Sequence, residues 1–131
     1  MNINLVLPVM LLFTAQLTFA QNTGNEFPEA KAKRQLSKLH NVAQLNTEQF
    51  NKAHNIFLEY YTQKNSLKNN TKLAKQDRKD KTEALKAKRD KALRQILTAD
   101  QWKKWETFLK EEKEREKAAA KAARDKVKNS E

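Results

Sequence analysis

Apolar residues recur along the chain at three- and four-residue intervals, the period of one helix face. Ala32, Leu36, Leu39 and Ala43 share such a face. Pro28, whose missing N–H costs nothing in a first turn, opens it, so a short amphipathic helix is expected over 28–42. A second stripe holds Phe50, Ala53, Phe57 and Tyr60, and a third holds Trp102, Trp105 and Leu109. Between them, Asn65 to Thr71 is polar and reads as a turn. Residues 72–96 then read as a long helix with a sparse apolar face of Leu73, Ala84, Leu85, Ala92, Leu93 and Ile96. After Leu109 only Val127 is a large apolar residue. Glu111 with Arg115 and Glu114 with Lys117 stand at helical pairing distance, so 110–128 reads as a charged extension that frays into solvent.

Two stretches announce helix starts. Leu45-Asn46-Thr47-Glu48-Gln49-Phe50 aligns without a gap on Leu97-Thr98-Ala99-Asp100-Gln101-Trp102. Asn46 and Thr98 are N-cap residues whose side chains accept from an amide three residues on. Gln49 and Gln101 stand there and can reach back, which makes a capping box. Leu45 and Leu97 precede the caps, placed to staple onto Phe50 and Trp102. Glu48 and Asp100 lie in the first turn, where the helix dipole favours acid. Aromatic stripes of this kind are mostly core. With so few other large apolar residues, some are expected to line an exposed surface.

Composition narrows the fold. The chain has 131 residues, one Gly, two Pro and no Cys. Without Cys there is no disulfide, thiol nucleophile or thiolate metal site. Without Gly after residue 24 there is no phosphate-cradling loop and no tight hairpin. Val and Ile are too few for a sheet. What remains is helix or disorder: an all-α chain with a thin core, in a composition close to that of disordered chains. The net charge is +11, from 27 basic and 16 acidic residues. Much of it lies between residues 70 and 97, a surface that attracts acidic partners.

The first twenty residues carry no charged side chain. An apolar run from Leu5 to Phe13 leads to Thr18-Phe19-Ala20 and then to polar residues. This reads as an export signal over 1–20 cleaved after Ala20, although basic residues are missing ahead of the run; the alternative is a retained anchor. A polar leader follows over 21–27, then a helical domain over 28–110 and a charged tail, helical or disordered, over 111–131. Export argues against nucleic acid as the partner of the basic charge, and the run is short for a stable membrane span.

Leu97-Thr98-Ala99-Asp100-Gln101 resembles the LTxxQ signature of the Spy/CpxP family of periplasmic stress proteins. Leu45-Asn46-Thr47-Glu48-Gln49 is similar, with Asn as an equally good cap. The resemblance covers roughly residues 28–110. It implies a four-helix protomer, a cradle-shaped antiparallel homodimer, and an ATP-independent periplasmic chaperone without cofactors that holds unfolded client proteins. The motif does not give the client-binding residues; Lys79, Lys86 and Arg89 on the basic helix, with Phe57, Tyr61 and Trp105, are the candidates. Some relatives sense metals or restrain a membrane sensor. His40 and His54, the only histidines, are the weak metal candidates, on different helices and without the three or four convergent ligands a site needs. Ser37 with His40, and Glu48 with His54, form no catalytic dyad or triad, so an enzyme is the weakest reading. The rival to a chaperone is an envelope-stress or metal-sensing partner of a membrane sensor protein.

Overall fold

The computed structural model describes residues 27–128, which form four α-helices and no strand. They are α1 (Pro28–Ala43), α2 (Thr47–Asn69), α3 (Lys75–Ile96) and α4 (Ala99–Lys128). The all-α expectation therefore holds. The segment expected to be an export signal, residues 1–20, and most of the expected polar leader lie outside the described residues. No helix among the described residues is long and apolar enough to cross a membrane.

Each boundary has a local cause. Pro28 stands in the first turn of α1. Gln44 ends that helix with φ 51°, and its N–H bonds to the His40 carbonyl at 2.8 Å. A left-handed residue commonly closes a helix, though Gly is the usual choice. α2 runs on through the segment expected to be a turn. Nothing in Asn65 to Lys68 is a breaker, and the Ser66 hydroxyl bonds back to the Thr62 carbonyl at 3.2 Å. The turn comes later, at residues 70–74. There the Asn70 side chain accepts from the Lys72 N–H at 3.1 Å, and Arg78 Nη2 donates to the carbonyls of Asn70 (3.1 Å) and Leu73 (3.3 Å). α3 accordingly starts at Lys75 instead of residue 72. α4 continues without a break to Lys128, so the charged extension is helical.

α1 packs against α2 and α4, α2 packs against α3, and α3 touches α4 little. The core joins Ala32, Leu36, Leu39 and Ala43 of α1 to Ala53 and Phe57 of α2, Leu93 of α3 and Trp105 of α4. Leu45 and Leu97 close it from the two links. Phe57 meets Trp105 edge-on at 6.3 Å, and Trp105 stacks on Phe108 at 5.5 Å. Burying one such side chain is worth about 1.5–3 kcal/mol, so these few carry the fold. Lys38 of α1 forms an ion pair with Glu112 of α4, tying those helices beyond the core.

The core occupies one end of the molecule. From Tyr61 to Ala92 no residue is buried, and from Lys113 to Lys128 every residue is exposed. The second stripe also departs from expectation at Phe50, which is 37% exposed. Its ring stands edge-on to His40 at 5.3 Å, while Leu45 goes into the core.

Leu39→Ala should lower stability by about 2–5 kcal/mol, because Leu39 is fully buried. Phe50→Ala should cost less than about 1 kcal/mol. Urea unfolding of both variants checks the ranking, and equal losses would contradict this account of the core.

Candidate functional site

The two repeated motifs meet. Asn46 Oδ1 accepts from the Gln49 N–H at 2.8 Å, and Gln49 Oε1 accepts from the Asn46 N–H at 3.1 Å. Thr98 and Gln101 form the same box, at 3.2 and 3.0 Å. The glutamines, 52 residues apart, then bond to one another. Gln49 Nε2 donates to Gln101 Oε1 at 2.7 Å, and Gln101 Nε2 donates to Gln49 Oε1 at 3.1 Å. Each Nε2 donates once more to the last residue of a helix. Gln49 reaches the Ile96 carbonyl at 2.9 Å, and Gln101 reaches the Ala43 carbonyl at 3.2 Å.

Every hydrogen-bonding position of both amides is thereby filled: two donors and two lone pairs each. The pair caps two helix starts and two helix ends at once. The chemistry explains the residue type. Glutamate has no N–H to give, two glutamates would repel, and asparagine is one methylene shorter. The capping boxes were visible in sequence; the pairing was not, because nothing in either motif names the carbonyls of Ala43 and Ile96.

This latch holds the base of a hairpin formed by α2 and α3. The start of α1 reaches the hairpin at Tyr61, Lys64 and Asn65; no residue from there to Ala92 is buried, and Leu67, Leu73 and Leu85 remain half-buried. α3 carries nine basic and four acidic residues. Lys79 and Lys86 are exposed and make no ion pair among the described residues. Lys88 is engaged: its Nζ donates to Glu59 Oε1 across the helices at 2.6 Å. That hydrogen bond, and then the Lys88 charge, holds the Glu59 carboxyl below its ordinary value of 4.5.

The other candidates fall differently. Phe57 is 1% and Trp105 2% exposed, so both belong to the core and neither offers a surface to a client. Their stripes bury because α1, α2 and α4 converge there. Arg89 is half-buried and occupied. Its guanidinium lies 4.6 Å from the Tyr60 ring centre and bonds to Asp90 at 2.8 Å, which makes it a packing residue of the hairpin. Tyr61 is half-buried, packs against the core and stands edge-on to Tyr60 at 5.0 Å. His40 is exposed and His54 half-buried. Among the described residues no group of three metal-ligating side chains comes together.

Comparison of the chain with family models, with curated proteins and with solved structures returned no match.

Gln49→Ala or Gln101→Ala should each cost about 2–3 kcal/mol, since each strands a partner amide and a helix-end carbonyl. The double variant should cost less than the sum by about 1–2 kcal/mol. Additive losses in a denaturation cycle would show that the amides act separately. Glu59 stabilises the hairpin above its ordinary pKa, and that contribution fades as pH falls through the lowered value. Between neutral and acidic pH, Glu59→Gln should therefore lose slightly less stability than the parent. A parent curve as flat as the variant's would remove the link to Lys88.

Proposed function

We propose that the chain is an ATP-independent holdase that binds unfolded proteins along the distal α2–α3 hairpin. One observation carries the reading: a two-helix ribbon leaves Leu67, Leu73 and Leu85 half open, and the same ribbon carries exposed Lys79 and Lys86. Charge steers the encounter at long range, and apolar contact holds what arrives. A long open surface, with only a small hollow between α2 and α3 lined by Ile56, Tyr60, Leu85 and Ala92, suits many clients instead of one shaped ligand. The resemblance of the two motifs to the LTxxQ signature supports the same reading. It brings with it export to the periplasm, membership of the Spy/CpxP family and a homodimer. A second copy covering part of the ribbon would add the apolar burial that the thin core lacks.

The second reading is a regulatory partner of a membrane sensor protein, supported by the same motif resemblance. The two differ in the number of proteins recognised.

The purified chain, without ATP, is mixed with several unrelated denatured proteins while light scattering is followed. Suppression of aggregation for most of them is expected. Charge reversal at Lys79 and Lys86 should weaken capture about three- to tenfold at low salt, with the gap closing as salt rises. Because neither lysine is buried, thermal stability should hardly move. A folded chain that protects none of the proteins would overturn the holdase and favour the single-partner reading.

A further inference from the structure

The exposed part of α4 carries a charge pattern that the holdase reading does not use. At 100° per residue, Lys110, Lys113, Lys117, Lys121, Arg124 and Lys128 all fall within a sector of about 80°. The stripe they form is about 27 Å long. No carboxylate of α4 between residues 110 and 128 falls inside that sector. Glu114 lies just beyond its edge, bonded to Lys117 at 2.8 Å, and Glu112 lies on the side facing α1, where Lys38 holds it. The other five cations of the stripe make no ion pair among the described residues, and all six are exposed. The stripe points away from the face that carries Trp105, Phe108 and Leu109, so packing of the core does not cover it.

We propose that this stripe docks the protein flat onto an anionic lipid bilayer surface. A straight helix with its cations in one line meets a plane along its whole length. Five of the six cations are lysines, compact charges suited to a diffuse field of headgroups, whereas paired recognition of single phosphates favours arginine. Residues 110–128 contain no aromatic side chain on which nucleic acid bases could stack. The opposite face carries Ala119 and Ala122 with Arg115 and Lys126, and Val127 lies on the flank, too little apolar surface to insert. Binding is therefore electrostatic, at about 1 kcal/mol per basic residue near the surface.

The test floats the chain with vesicles of phosphatidylcholine and phosphatidylglycerol, and with phosphatidylcholine alone, at two salt concentrations. The chain should float with the anionic vesicles only, and release as salt rises. A variant with Lys113→Gln, Lys117→Gln, Lys121→Gln and Arg124→Gln should partition about a thousandfold less. A control with Lys75→Gln, Lys79→Gln, Lys81→Gln and Lys86→Gln on α3 loses the same charge and should change partitioning less than about threefold. Arginine at the three α4 lysines should preserve binding. Circular dichroism confirms that each variant keeps its helices. Equal loss in both neutralised variants would assign the effect to net charge and overturn the stripe. Absence of binding to anionic vesicles, or tighter binding to duplex DNA than to them, would overturn the membrane.

Discussion

Two amide groups set the arrangement of everything else. A helix leaves unsatisfied N–H groups at its start and unsatisfied carbonyls at its end. Four helices in a short chain multiply that problem, and tight links bring the ends together where water is partly excluded. Gln49 and Gln101 answer it in one place. Each closes the start of its own helix, the end of another, and its counterpart. Directional bonds of this kind fix the angle at which helices leave a junction, which a handful of leucines cannot do alone.

The core is consistent with that division of labour. Leu39, Phe57, Leu93 and Trp105 supply burial close to the junction, and little is buried elsewhere. Farther out the structure relies on helix propensity, on cross-helix pairs such as Lys88 with Glu59, and on Arg89 laid over Tyr60. Exposed pairs contribute little each. The ends of the hairpin and of α4 are therefore the least secured parts of the fold, and they are also where most of the unbalanced basic charge lies.

Helix periodicity and the capping boxes made the four helices legible in sequence, because both are local properties. The end of α2 was misplaced: Asn and Ser in 65–71 look like turn residues, yet each is tolerated in a helix when no Gly or Pro forces a stop. The candidate surface was legible only in its charge. Lys79 and Lys86 project outward, but Arg89 on the same helix is taken up by Asp90 and Tyr60. Phe57 and Trp105 could not be told apart from surface aromatics by spacing, since which stripe becomes core depends on the helices that happen to cover it. The glutamine pairing and the Lys38–Glu112 tie are contacts between distant segments, and no local pattern encodes them.

The latch also divides the chain into two units, each a helix, a motif and a second helix. Gln49 of the first unit secures the end of the leading helix of the second, at Ile96. Gln101 of the second secures the end of the leading helix of the first, at Ala43. The units thus exchange their closures. Either one by itself has a glutamine with no helix-end carbonyl to reach and a last carbonyl, at Ala43 or Ile96, with no glutamine to meet it. Another copy of the same unit would supply both. The turn at residues 70–74 that joins them provides none of these bonds. Its covalent continuity acts as a tether that raises local concentration, and recognition between the halves adds the paired motifs to the shared core and to the Lys38–Glu112 and Lys88–Glu59 pairs.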